Sequence, residues 1–440
     1  MADFDTVDFF TDASLVDDPF TYFDYLRQKC PVTHLPHHGV IAVTGYDEAH
    51  EVDRNNSVFS SCNSVSGPFP GFAVKPEGDD ITEFIEQHRH ELPMSEYMVA
   101  QDLPEHDLHR GLILRVLTPK RMRENQEAIW VIADRQIDEF IDKGSFEVHG
   151  DFAQSFALLV IADLLGVPEE DRSEFRQHLG GMPHISESGP RTVIHDPLGF
   201  LNQRFTQFIE DRRLAPGHDV MTQIATATNP DGSIPDIDIV VRMATFLFAA
   251  GQDTTARLLT AALQVIAERP DIQAYLRADY AHIPNFIEEV LRLEGPVKTK
   301  GRMTRVATTL AGVDIPAGTV VTPFPGAANR DPRHFDEPNE FRADRANAKE
   351  HLAFGRGIHS CPGAPLARIE AQIALERLLT RMSDIRIDES FHGPRDARTY
   401  NQEPLYILRG LTSLHLQFTP AEAASAEVAS AEVGSVGGQS

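Results

Sequence analysis

The chain has little that would suit it to an oxidising compartment or a membrane. Only three of its 440 residues are cysteine, Cys30, Cys62 and Cys361, too few and too scattered for a disulfide framework. Basic residues are also scarce: 40 Lys+Arg stand against 66 Asp+Glu, a net charge of −26. That balance excludes broad attraction to nucleic acid or anionic lipid, while leaving room for a local basic patch. The longest apolar runs, Phe156–Ala162 and Phe246–Gly251, fall far short of the roughly 20 residues that span a bilayer. Met1–Asp12 shows no basic segment followed by an apolar one, so no targeting signal is read there. The expectation is a cytoplasmic protein whose partners include neither nucleic acid nor membrane.

What is present is ordinary globular material, 41 % hydrophobic and 24 % charged, enough to bury a large core. Residues 1–420 read as a single domain. Residues 421–440, AEAASAEVASAEVGSVGGQS, carry no large apolar side chain; such a tail cannot offset its ordering entropy and is expected to be disordered. Residues 33–60 read as short strands and turns, and the Pro/Gly-rich stretch 63–93 as a long loop of the kind that binds or covers ligands. From Pro104 to about Glu294 helical patterns dominate. The longest runs from about Asp236 to Arg269, where Pro270 stops it, and spans roughly 50 Å. Arg302–Phe324 and Leu405–Phe418 read as strand-like patches. The fold class is mainly α with small β-sheets.

Cys361 stands out. It lies in Phe354-Gly-Arg-Gly-Ile-His-Ser-Cys-Pro-Gly363, directly before an amphipathic helix from about Ala364 to Met382. A thiolate at a helix N-terminus is stabilised by the positive end of the dipole and by free backbone N–H groups. Gly355, Gly357 and Gly363 allow close backbone approach to a flat partner, and Phe354 can shield the sulfur. One thiolate is too few ligands for structural zinc. It suits the axial position of haem iron, where it donates electron density that favours O–O cleavage.

The stretch Phe354–Gly363 resembles the haem-binding signature of the cytochrome P-450 superfamily, and the resemblance extends from about Asp18 to Phe418. It implies that family's fold: a trigonal-prism-shaped helical body, with haem b (iron protoporphyrin IX) between the long central helix and the Cys361 loop. Glu289-Val-Leu-Arg292 is similar to the family's Glu-x-x-Arg pair, whose spacing puts both charges on one helix face; the resemblance joins Arg345 to them as a structural ion-pair network. Asn329-Arg-Asp-Pro332 is similar to a segment of the soluble bacterial members. By resemblance His106, Arg110, Arg302 and His359 anchor the haem propionates. His109 and the His34/His37/His38 cluster match nothing and are expected to be exposed.

Midway along the longest helix, Ala250-Gly-Gln-Asp-Thr-Thr255 places poor helix formers inside a helix. A Thr hydroxyl can also bond a backbone carbonyl of the preceding turn and bend the helix. Local conflicts of this kind mark functional sites. In the family a matching acid–alcohol pair delivers protons during dioxygen reduction. The positions that match are Asp253 and Thr254, with Gly251 leaving room for O2. The implied reaction is insertion of one oxygen atom into a hydrophobic small molecule, by hydroxylation or epoxidation. The alternatives are a peroxide-driven peroxygenase and a non-catalytic haem sensor. Three cysteines cannot supply a four-cysteine iron–sulfur site, so electrons come from a separate ferredoxin and its NAD(P)H-dependent reductase. Arg115, Lys120, Arg121, Arg123, Arg356 and Arg368 are the basic residues expected to steer that partner. By resemblance Phe246, Ala249, Val297, Ile407 and Leu408 line the substrate pocket. Lys298, where the family commonly has an apolar residue, either reaches solvent or a propionate, or contacts substrate. A monomer is expected.

Overall fold

The computed structural model of the chain describes residues 4–179, 198–229 and 231–421; the tail beyond Ala421 lies outside them. The helices that build the site are α1 (Phe20–Lys29), α2 (Tyr46–Arg54), α3 (Glu105–Val116), α4 (Pro119–Asp138), α5 (Gln154–Leu165), α6 (Gly199–Leu214), α7 (Ile237–Glu268), α8 (Ile283–Glu294) and α9 (Ala364–Arg381). The architecture is mainly α with small sheets.

The long helix α7 is the axis, with α5, α6, α8 and α9 packed along it. Its second half is buried around its whole circumference: Thr255 to Thr260 are six consecutive buried residues. A helix buried on every side is a core helix. Pro270, which lacks an N–H and cannot continue the ladder, follows directly and opens the next helix at its first position. Ahead of α4, the Thr118 hydroxyl accepts from the Arg121 N–H, and Pro119 occupies the first helical position. Residues 148–165, including α5, are by length and composition apolar enough to cross a membrane, but 72 % of that stretch is buried inside the protein. It is core. One hydrophobic cluster runs through these helices from Met98 to Phe418.

Five short strands form the main sheet, in the order Val32–His34, Val40–Val43, Val320–Pro323, Arg302–Thr304, Phe59–Ser60. Val40–Val43 is fully buried and pairs parallel with Val320–Pro323; the other pairings are antiparallel. The sheet matters to the site because it delivers Arg302. A second sheet joins Ser145–Glu147, His415–Pro420 and Met382–Ile387.

Three sequence expectations need correction. The 33–60 region contains the helix α2, which turns only Tyr46, Ala49, Val52 and Asp53 inward. The 63–93 loop contains a helix, Thr82–His88, that buries Ile85 alone. The second is too short and polar to show a helical apolar stripe, and the first shows only a one-sided stripe of three apolar residues among charges. In the 405–418 patch the strand begins only at His415; before it lie isolated bridges, Val297 to Leu408 and Gln402 to Leu411.

Candidate functional site

The Cys361 loop is built by its backbone. The Cys361 N–H donates to the Phe354 carbonyl at 2.8 Å, which folds the loop back on itself. Gly355 and Gly357 both have positive φ, +65° and +70°. At Gly357 a Cβ would also sit 2.4 Å from the Asp53 carbonyl of α2, so conformation and clearance both demand glycine. The backbone N–H groups of Gly363 and Ala364, at the start of α9, point to the Cys361 sulfur and favour the thiolate. Burial opposes them and leaves the thiol raised above its ordinary value, with Arg110 and Arg368 pulling it back. Cys361 is nonetheless accessible at its surface: protein surrounds the sulfur without covering it. The Arg368 guanidinium lies 4.8 Å above the Phe354 ring. The other cysteines differ. Burial pushes the Cys62 thiol up to about 11, and Cys30 packs at the edge of a core cluster.

Around this loop converge the four expected basic groups. His106 and Arg110 lie one turn apart on α3. The His106 and His359 rings stand 4.3 Å apart, and Arg110 Nη2 donates to the Ser360 hydroxyl at 3.2 Å. Arg302 is buried and donates only to the neighbouring Gly301 carbonyl. Burial lowers the pKa of all four; His359 falls well below its ordinary value, helped by the charges of Arg302 and His106. His106 Nε2, Arg110 Nη1 and His359 Nε2 are buried with no acceptor. Among these groups only His106 has a carboxylate partner, the exposed Asp107. Buried donors and cations without acceptors are costly, and an anionic group seated among them would reverse that cost. A haem beside Cys361, with its two propionates here, fits this donor set.

On α7, the Thr254 hydroxyl donates to the Ala250 carbonyl at 2.8 Å. The small residue with exposed surface in this turn is Ala250. A Cβ on Gly251 would meet Ile161 of α5 at 3.7 Å, an ordinary packing contact. Asp253 Oδ2 accepts from Arg257 Nε at 2.9 Å, and Arg257 Nη2 reaches Glu403 at 2.7 Å. Arg257 and Glu403 are each 3 % exposed, against 33 % for Asp253. Asp253 and Glu403 outweigh the burial of Arg257 and raise its pKa. His149, just before α5, feels the charges of all three; both its ring nitrogens are buried without partners, and burial holds it toward the neutral form.

The Glu289 network closes as a buried knot. Arg292 donates to both carboxylate oxygens at 2.7 and 2.9 Å, and Arg345 Nε to Oε1 at 3.0 Å. Nearby, Asn329 Oδ1 accepts from the Leu352 N–H and Asp331 from the Tyr46 N–H. Of the pocket residues, Val297 and Lys298 meet Ile407 and Leu408 through a β-bridge, with the Lys298 N–H on the Ile407 carbonyl at 2.7 Å. The Phe246 ring packs at a tilt against Tyr97, 5.8 Å between centroids. Lys298 is buried, 6 % exposed, so the reading in which it reaches solvent is excluded. His109, also expected outside, is buried, because its turn of α3 faces the first half of α7.

Sequence reasoning missed Arg257 and Glu403, although Asp253 and Arg257 stand at the helical i, i+4 spacing. It also missed Glu370 on α9. Burial pushes that carboxyl up to about 8, with the Thr255 hydroxyl of α7 as its hydrogen-bond partner, so a protonated acid ties the thiolate helix to the long helix.

A family model described as Cytochrome P450 matches residues 192–385. Cytochrome P450 144 of Mycobacterium tuberculosis is 33 % identical over 390 residues, covering 86 % of this chain and 85 % of its own. Mycobacterium marinum cytochrome P450 CYP150A6, solved in its substrate-free form, aligns with a TM-score of 0.90 at 54 % identity, covering 95 % of this chain and 100 % of that one. CYP109E1 of Bacillus megaterium, in complex with corticosterone, gives 0.76 at 27 % identity, covering 91 % and 98 %. Identity at this level across nearly the whole of both chains, on a fold that sets a helix-capped cysteine among buried basic donors, makes the chain a member of the cytochrome P450 family, a haem-thiolate monooxygenase of the bacterial type.

Proposed function

We propose that the enzyme hydroxylates or epoxidises a hydrophobic small molecule, with Cys361 as the thiolate that would hold the haem iron and electrons supplied by a separate ferredoxin and its reductase. The observation that carries this reading is the set of buried donors without acceptors, His106 Nε2, Arg110 Nη1 and His359 Nε2, beside Cys361. With Arg302 they would hold the propionates. The bound haem supplies dioxygen activation. The protein's share is to orient substrate and move protons. Asp253 Oδ2 is held by Arg257, leaving Oδ1 to carry a proton toward Thr254 Oγ1, which the Ala250 carbonyl orients. Phe246, Ala249, Val297, Ile407 and Leu408 supply apolar walls, which keep bulk water from the reacting carbon.

For electron delivery, four of the six basic residues are engaged: Arg121 with Gln223, Arg356 with the Glu350 carbonyl, Arg368 with Glu288, and Lys120 with the exposed Glu124 at 3.6 Å. Arg115, Lys120 and Arg123 are exposed at the corner between α3 and α4, a local positive face on a chain of net charge −26 that suits an acidic ferredoxin. Three free cysteines support a reducing, cytoplasmic setting.

The test is spectroscopic and stoichiometric. Cys361→Ala abolishes the thiolate-type Soret band of the reduced carbon monoxide complex, while Cys30→Ser and Cys62→Ser keep it. With surrogate ferredoxin and reductase, Thr254→Ala lowers product formed per NADPH and raises hydrogen peroxide. A retained band in Cys361→Ala removes the ligand assignment; unchanged coupling in Thr254→Ala removes the proton path.

A further inference from the structure

The Cys361 loop is braced by charge. Arg368 on α9, one of the six basic residues expected to steer a partner, is not a free surface cation: its Nε and Nη2 donate to the two oxygens of Glu288 on α8 at 2.5 and 2.9 Å. The same carboxylate takes a third bond, from His351. The His351 Nδ1 accepts the Ala353 N–H at 3.1 Å, which leaves the ring proton on Nε2, 3.1 Å from Glu288 Oε2. Burial holds this ring toward its neutral form. Burial also works against the Glu288 charge, but the bonds from His351 and Arg368 outweigh it and hold the carboxyl down to about 2.

The brace ends on the loop itself. The Arg368 guanidinium lies over the Phe354 ring, and His351 packs against the same ring with centroids 5.7 Å apart. Phe354 in turn accepts the Cys361 N–H through its carbonyl, and the charge of Arg368 favours the thiolate. An arginine that is 38 % exposed gains rotamer entropy by leaving for solvent, where its charge is screened. A two-pronged bond to a carboxylate fixes its plane and its distance instead. Glu288 is 12 % exposed and is itself held by the buried His351, so orientation passes from α8 to the ring.

We propose that Glu288 and His351 are positioning residues that hold Arg368 over Phe354, and that this fixed cation stabilises the reduced state of the iron bound to Cys361. Reduction adds negative charge to the site, which a nearby cation favours. The inference rests on Cys361 as the iron ligand and gives Arg368 a role apart from docking. Arg368 acts through space on the thiolate; Glu288 and His351 act through Arg368.

The holoenzyme is poised with redox dyes at the wild-type midpoint potential, where ferric and ferrous forms are equal, and their ratio is read from the visible spectrum. Arg368→Met holds at least about threefold more ferric than ferrous enzyme, and Arg368→Lys, which keeps the charge without the fork, lies between. Glu288→Gln shifts the ratio the same way by about twofold, because the weakened fork releases the guanidinium. The double variant Glu288→Gln/Arg368→Met shifts it no further than Arg368→Met alone. It leaves no carboxylate stranded, so it reports on the cation even where the single variant fails to fold. The reduced carbon monoxide band establishes that each variant is loaded. An unchanged ratio in Arg368→Met and in the double variant overturns the proposal, as does a Glu288→Gln shift that adds in full to that of Arg368→Met. Weaker ferredoxin binding beside an unchanged ratio assigns Arg368 to docking instead. Failure of the ligand assignment shows separately, as a wild-type protein whose reduced carbon monoxide complex lacks the thiolate band.

Discussion

The buried arginine–carboxylate knots at Glu289 and at Arg257 are built to opposite ends. At Glu289 one acid serves two arginines. Its oxygens accept from Arg292, Arg345 and the Arg342 N–H, and the remaining guanidinium donors go to carbonyls of Asn329, Pro338, Glu340, Asp336 and Glu337. Neither Glu289 nor Arg292 has any exposure. At Arg257 one base serves two acids; Nη1 is buried without an acceptor, and Asp253 keeps a third of its surface open. The first knot is saturated and can only hold chain segments together. The second leaves valences unfilled and one carboxylate accessible, which suits the proton-carrying role proposed for Asp253. Buried charge alone does not tell structure from function; the completeness of its hydrogen bonding does.

Substitutions at Glu289, Arg257 and Asp253 test that contrast, ranked by expected loss of stability, and one at Glu370 tests a buried acid outside both knots. Glu289→Gln strands two buried guanidinium groups and costs about 3–5 kcal/mol, enough to prevent accumulation of folded enzyme; denaturant unfolding or soluble yield measures it. Arg257→Met strands Glu403 while Asp253 can rehydrate, so the loss is nearer the low end, about 3 kcal/mol, and Arg257→Lys restores part of it. The solvent isotope effect on turnover also changes in Arg257→Met, which a purely structural role would not produce.

Glu370→Gln acts through pH. The folded carboxyl titrates near 8 against an ordinary 4.5, so the folded state binds the extra proton between those values. Its contribution is fully present below about pH 4.5 and is lost as pH rises through 8. The thermal midpoint of wild type relative to Glu370→Gln therefore falls steadily from pH 5 to pH 9; a constant difference would sink the assignment. Asp253→Asn is the mildest for stability, within about 1 kcal/mol because the pair is partly open, yet turnover drops on the order of 100-fold. If Asp253→Asn destabilises as much as Glu289→Gln, the distinction between the two knots fails.

What the sequence reveals follows the range of each interaction. The Cys361 loop and the Glu289–Arg292 pair are local patterns in which spacing fixes geometry, and the long helix is legible to within a residue at each end because Pro270 stops it and apolar residues flank its polar middle on both sides. Glu403 is 146 residues from Arg257, and no local pattern connects them. Glu370 sits on a helix with charges on several faces, so nothing in the order of residues marks it as the buried one. His109 shows how close the limit lies. It is three residues from His106 on the same helix, but the meeting of that turn with the start of α7 is a tertiary fact.

The helix α3 has one more consequence. His106 and Arg110 face the Cys361 loop, while His109 and Ile113, one residue and one turn away, face a small cleft against the first half of α7. A single rigid rod therefore carries both the donors proposed to hold the prosthetic group and the side chains that wall the cleft. The two sets cannot drift independently. Grafting this helix from a relative to alter its packing on α7 would import that relative's hold on its cofactor along with it, and libraries randomised here should lose loading and packing together.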